Sequence, residues 1–385
     1  MTNPACFNEI RVHYKKLSLI QFRNYDSLEV DWAEHVNCIT GRNGTGKTNI
    51  LEALHYPALA RGFHSRKDKT AVREGCGFFM NKIEIKHPSG IESVECNFLP
   101  SRGKSIIVDG QQLEKMSRHI GTIPMVTVLP SDTRIVDDGP AVRRRFMDLF
   151  ISQYDNSYLE DLIRYERAMA QRSALLNEFS GKGGPGRAEL EPWDHEMTKA
   201  GIGIRKVRES FVKQFRKPFS KYYKMLVPDS ETQTLRYLPS IADNSEEGWK
   251  KEFEKNLQRD CFTCRSNSGA HCEDLEFLIN GRSARVFASQ GQRKTFVIAL
   301  KLAQYEMLRT KSGKAPILLL DDLFDKLDDD RLSAIADIIR QQIAGQVFVT
   351  DTSYGRTKAI FGAMKNRSVA YYKVENNQIK YEKGK

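Results

Sequence analysis

No run of roughly 18 apolar residues occurs in the chain, so a helix crossing a membrane is not expected. Cysteine is scarce: seven in 385 residues, without framework spacing, which points to reduced thiols rather than a disulfide scaffold. The first twenty residues lack an uninterrupted apolar stretch, because Glu9, Arg11, Lys15 and Lys16 break it. No secretory signal is therefore expected, and a cytoplasmic location is. Apolar residues make up 40% and charged residues 28%, which excludes a wholly disordered or fibrous chain. What is present in excess is positive charge. Sixty Lys and Arg against 49 Asp and Glu give a net +11, which favours an anionic partner such as nucleic acid, anionic lipid or nucleotide.

The N-terminal third reads as strands at 15–22, 35–40, 81–86, 91–98, 105–108 and 124–129, with His87-Pro88-Ser89-Gly90 and Asp109-Gly110 as turns. From about 131 to 260 the pattern is helical, interrupted by the Gly-rich loop 181–186. Strands return at 275–279 and 284–288 around Asn280-Gly281, a hairpin signal. A helix near 291–310, a strand at 316–320, a helix near 329–343 and a strand at 346–350 follow, the alternation of a parallel sheet covered by helices. The expected organisation is a nucleotide-binding domain split in sequence (1–130 and 266–385) by a helical arm (131–265).

Gly41-Arg42-Asn43-Gly44-Thr45-Gly46-Lys47-Thr48 fits G-x-x-x-x-G-K-[ST], between a predicted strand and a predicted helix. The glycines let backbone N–H groups close around phosphates, and the helix N-terminus adds a favourable dipole end. Lys47 is expected to reach the β- and γ-phosphates of ATP, and Thr48 to ligate Mg²⁺. The apolar run Ile317–Leu320 ends in Asp321-Asp322. Asp321 suits the Mg²⁺ shell, and Asp322 suits activation of the attacking water, so Lys47 and Asp322 are the expected catalytic pair. Alone, these carboxylates could equally be a capped loop before the next helix.

Ser289-Gln290-Gly291-Gln292 opens a long helix between the two phosphate-site elements. Read alone it is a helix N-cap; by position it looks like the signature motif of ATP-binding-cassette (ABC) ATPases, which grips nucleotide held by the opposite subunit. The stretches LSLIQFRNY (17–25), GRNGTGKTNILEAL (41–54), RRRFMD (143–148), WD (193–194), GAHCEDLEF (269–277), ASQGQRKTFVIALKLA (288–303), ILLLDDLFDKLD (317–328) and QVFVTDT (346–352) together resemble the bacterial RecF family of SMC-like ABC ATPases. The resemblance implies an α/β ABC-type P-loop ATPase head of two lobes, a parallel core sheet plus antiparallel strands, with a helical arm inserted in sequence. It implies Mg²⁺ and ATP as cofactors, an ATP-dependent homodimer on double-stranded or gapped DNA, and slow hydrolysis as a timer. It also implies action with RecR and RecO to help load RecA, at the nucleoid and not at a membrane.

Some positions depart from the family pattern. Cys272 stands where a basic residue is usual, and Asp325 where Ser is commoner in a D-loop-like stretch, 325–328. No switch histidine follows the last strand, so Asp351 or Thr352 is left to sense the γ-phosphate. Leu129-Pro130-Ser131-Asp132 offers no Q-loop glutamine.

Between Lys199 and Lys224 stand nine Lys or Arg and one acidic residue. Lys206, Lys213, Lys217, Lys221 and Lys224 fall on one helical stripe, beside an apolar stripe of Ile204, Val207, Phe211, Phe215 and Phe219. The lysines fit a DNA backbone and fit equally a solvated face, and Pro218 is expected to kink or end the helix. A second basic cluster, Arg61, His64, Arg66, Lys67, Lys69 and Arg73, is a comparable DNA candidate. Cys261, Cys264, His271 and Cys272 could bind zinc, but with no second C-x-x-C they read as incidental thiols. An alternative function is an ABC-type ATPase outside repair. A transporter subunit would carry the switch histidine and Q-loop glutamine; a chromosome-structure subunit needs long heptad repeats, which are not visible.

Overall fold

Three of the apolar runs lie side by side in one sheet, buried along their whole length. In the computed structural model, which describes residues 10–63, 67–179, 184–227, 231–324, 328–362, 364 and 367–382, these are Val36–Thr40, Val347–Asp351 and Ile317–Leu320. The full sheet order is Gln378–Glu382, Val369–Glu375, Val36–Thr40, Val347–Asp351, Ile317–Leu320, Met125–Val128. All neighbours are parallel except the first pair. Runs without polar alternation, such as Ile317-Leu318-Leu319-Leu320, are what a parallel sheet covered on both faces requires. The carboxyl ends of three parallel strands thus come together, the usual place for a ligand crevice in such a sheet.

A second, antiparallel sheet runs Tyr25–Asp31, His13–Phe22, Phe79–His87, Gly90–Leu99, Gly103–Val108, Gln111–Gln112. Its inward residues, Leu17, Leu19, Phe79, Ile83 and Val94, join Leu51, Leu54 and Phe348 in one core. Both sheets belong to a compact unit of Met1–Asp132, Met225–Pro228 and Ile298–Lys385.

The second unit is Thr133–Lys224 with Asp229–Val297. It runs past residue 265 and takes in the strand Asp274–Ile279 and the segment 289–292. Its spine is the 40-residue helix Arg187–Leu226. Pro218 does not end that helix, which continues through it to Leu226. The lost hydrogen bond is outweighed by packing on both sides of it, where Phe211, Phe215, Phe219, Tyr222 and Tyr223 are all buried. Two further expectations fail in this unit. Gln233–Leu238, which carried no recognised strand signal, pairs antiparallel with Asp274–Ile279, and Arg236 faces Glu276 across the pair (2.8 Å). Residues 284–288 are not a strand. Asn280 and Gly281 do make the turn, both at positive φ, but the returning strand is only Arg282–Ser283, and Ala284–Phe287 forms a helical turn. Arg285 holds that turn by donating Nε to the Asp137 carbonyl (3.0 Å).

The unit also buries charge. Arg208 donates to Asp148 Oδ1 (2.8 Å), Glu273 Oε2 (2.8 Å) and the Ala270 carbonyl (2.7 Å). Burial pushes the Glu273 carboxyl above the usual range, and Arg208 pulls it back. Arg208→Met leaves Glu273 buried without its cation, and urea unfolding should show a loss of about 3–5 kcal/mol. An unchanged midpoint would contradict the pairing.

Candidate nucleotide site

The loop after Val36–Thr40 turns into the helix Lys47–Leu59 through glycines at positive φ, Gly44 (80°) and Gly46 (101°). At Gly46 a Cβ would also sit 2.5 Å from Asn24 Nδ2 and 2.8 Å from the Tyr25 hydroxyl, so both conformation and space demand glycine. Tyr25 donates to the Gly46 carbonyl (3.2 Å), and Asn49 donates to Asn24 (2.7 Å), tying the hairpin 22–25 to the helix start. Lys47 lies buried across the loop, its ammonium donating to the carbonyls of Gly41 (2.9 Å) and Arg42 (3.0 Å). Thr45 also donates to Arg42 (2.9 Å), while Arg42, Asn43 and Gly44 face outward. The free N–H groups of the helix start and its dipole make this end attractive to phosphate.

Ile317–Leu320 delivers Asp321 to the same place. The Thr48 hydroxyl lies 3.0 Å from both oxygens of Asp321, and Thr350 donates to Oδ1 at 2.7 Å. Burial pushes the Asp321 carboxyl above the usual range; the two hydroxyls lower it, and neighbouring Asp322 raises it. A buried carboxylate beside hydroxyl oxygens is a hard-oxygen donor set, and it suits Mg²⁺. Asp322 follows at φ 42°, with its N–H on Thr350 Oγ1 (2.9 Å). Asp351 is buried, its carboxyl raised by burial, and it accepts from Ser353 N (2.7 Å) with Arg356 at 3.4 Å; Thr352 is exposed. Asp132 caps its own turn at Leu129 N (2.8 Å) and pairs with Lys301 (3.1 Å).

In the second unit, Ser289 and Gln292 form a reciprocal capping box. Ser289 Oγ accepts from Gln292 N (3.2 Å), and Gln292 Oε1 accepts from Ser289 N (2.8 Å). Gln292 also donates to Glu231, which Tyr223 holds from its other oxygen (2.6 Å). Ser289 and Gln290 are exposed, and Gly291 is half-buried. Lys206, Lys213, Lys217, Lys221 and Lys224 are exposed along the long helix, opposite buried Ile204, Phe211, Phe215 and Phe219. Lys67 is exposed. His64, Arg66 and 325–327 lie outside the described residues; Asp328 caps the helix Asp329–Gln342 at Arg331 N (2.9 Å). Both ring nitrogens of His271 have partners, Tyr165 Oη (2.8 Å) and the Ser266 carbonyl (3.0 Å). Among the described residues no group of three or more His, Cys, Asp or Glu is disposed to hold a metal ion. Thr350 and Asn24 escaped the sequence reading. The only trace of Thr350 is a hydroxyl among the apolar residues of its strand.

The RecF/RecN/SMC N-terminal domain model matches residues 13–379. The DNA replication and repair protein RecF of Cytophaga hutchinsonii is 35% identical over 350 residues, covering 91% of this chain and 92% of that protein. A solved structure of the recombination mediator protein RecF with ATP, in the RecFOR pathway, matches with TM-score 0.87 and 27% identity over 99% of this chain and 100% of that one. The Smc head domain of Pyrococcus furiosus matches at TM-score 0.54 and 15% identity over 96% of each chain, a likeness of fold. The fold is therefore that of an SMC-like ABC ATPase head, and the chain belongs to the RecF family of DNA replication and repair proteins.

Proposed function

We propose that the chain binds Mg-ATP at Gly41–Thr48 and hydrolyses it slowly. Two copies would close head to tail around the nucleotide, and the closed pair would hold duplex or gapped DNA. The observation that carries this reading is the approach of the Thr48 hydroxyl to both oxygens of Asp321, 3.0 Å across 273 residues of sequence. That arrangement joins a phosphate loop to a metal-binding carboxylate. In this reading Lys47 leaves its two loop carbonyls for the β- and γ-phosphates. Thr48 and Asp321 hold Mg²⁺, which when bound neutralises charge on the phosphate oxygens. Asp322 orients water and takes its proton. Ser289 and Gly291 of one copy meet the γ-phosphate held by the other. The exposed lysine stripe 206–224 follows the DNA backbone, with Arg66 and Lys67 as a second contact.

A relative's part in the RecFOR pathway supports RecR and RecO as partners, and help in loading RecA is the outcome we propose. Such a protein works at the nucleoid. No described helix is long and apolar enough to cross a membrane. Asp322→Asn tests the hydrolytic half. It should keep ATP and the dimer while turnover falls roughly 10²–10⁴-fold. Unchanged turnover would remove Asp322 from that role.

A further inference from the structure

We propose that Thr350 is a positioning residue that locks Asp321 and Asp322 into one working arrangement, so that turnover depends on its hydroxyl more than ATP affinity does. The proposal rests on the ATPase reading above. Thr350 is wholly buried near the end of Val347–Asp351, the strand between the phosphate-loop strand and the acidic strand. Its register partner on the phosphate-loop strand is Ile39. One hydroxyl serves both acids, donating to Asp321 Oδ1 (2.7 Å) and accepting from Asp322 N (2.9 Å).

The second of these bonds bears on Asp322. Backbone pairing of the acidic strand ends with Asp321 N on the Val128 carbonyl (2.9 Å). At the next residue the chain turns into the left-handed region, φ 42°, which is uncommon for a residue with a Cβ, although aspartate adopts it more readily than most. The group found on the Asp322 N–H is the Thr350 side chain. The same hydroxyl fixes the rotamer of the carboxylate that faces Thr48. Loss of the hydroxyl frees the backbone at Asp322, and with it the direction of the carboxylate meant for water. Lys47, which would grip the phosphates, donates instead to the loop carbonyls of Gly41 and Arg42.

Valine has threonine's shape without its hydroxyl, and serine has the hydroxyl without the methyl. Thr350→Val, Thr350→Ser, Asp322→Asn and the unaltered chain would be compared for ATP affinity by a fluorescent nucleotide, for steady-state turnover and for melting temperature. Thr350→Val is expected to lower kcat roughly 10–100-fold while the Kd for ATP stays unchanged, with Thr350→Ser recovering most of the rate. Turnover in Thr350→Val equal to that of the unaltered chain would overturn the proposal. So would a parallel fall in affinity, rate and melting temperature that serine does not rescue, since that is the pattern of a purely structural threonine. Absence of turnover in the unaltered chain is a different failure: it removes the ATPase reading itself, and the proposal with it.

Discussion

Lys47→Ala is expected to weaken ATP binding by roughly 100-fold or more, since charge-assisted hydrogen bonds contribute about 1.5–3 kcal/mol each and the ammonium would make at least one to each of two phosphates. The folded unit should survive the change. Lys47 donates to the carbonyls of Gly41 and Arg42 in its own loop, while the apolar face of its helix (Ile50, Leu51, Leu54) stays packed in the core. A nucleotide titration with a circular dichroism spectrum separates the two effects. Native-like spectra with lost affinity are the expected pair, and retained affinity would contradict the assignment of the loop. In the proposed head-to-tail closure the nucleotide at this loop joins the two copies, so the same variant should also fail to dimerise with ATP.

Ser289→Arg should act on the other half of the proposed composite site. Each copy alone should bind ATP as before, and the ATP-dependent dimer should disappear. The substitution removes the cap that Ser289 provides for Gln292 N, about 1 kcal/mol of helix stability, and sets a cation at the positive end of a helix dipole. Neither cost unfolds a unit with this core. Ser289→Ala removes the cap alone, so it separates the two contributions. Sedimentation with ATP and with ADP reads the result: an ATP-dependent dimer of Ser289→Arg would sink the head-to-tail arrangement.

The strand-to-helix turn at 41–48 and the acidic strand were legible as structure because their constraints are local. Only glycine tolerates φ 101° at position 46 with Asn24 and Tyr25 packed against it, and an unbroken run such as Ile317–Leu320 belongs in a sheet covered on both faces. Thr350 was not legible, because its importance depends on sheet order. Nothing in the chain near residue 350 says that Val347–Asp351 inserts between two strands from distant segments. Pro218 does not end its helix as one of the two expected outcomes had it, because long-range packing holds the helix on both sides of it. At 284–288 the Asn280-Gly281 turn was read correctly, but the strand beyond it was not. There Arg285 and Arg293 reach back to Asp137, a tether 148 and 156 positions away in sequence. The capping box at Ser289 shows a further limit. The same four residues serve as an ordinary helix start and as a candidate nucleotide contact, and the fold of one copy displays the first of these.

The most direct test is DNA binding by the unaltered chain, with and without ATP, on duplex, single-stranded and gapped DNA at two salt concentrations. An ATP-switched clamp that grips phosphates through Lys206, Lys213, Lys217, Lys221 and Lys224 should bind duplex-containing DNA only with ATP. Its affinity should fall steeply with salt, by a slope in log–log form of roughly −0.9 per phosphate contacted. Binding that ignores ATP, or no binding in any nucleotide state, would contradict the ATP-dependent clamp.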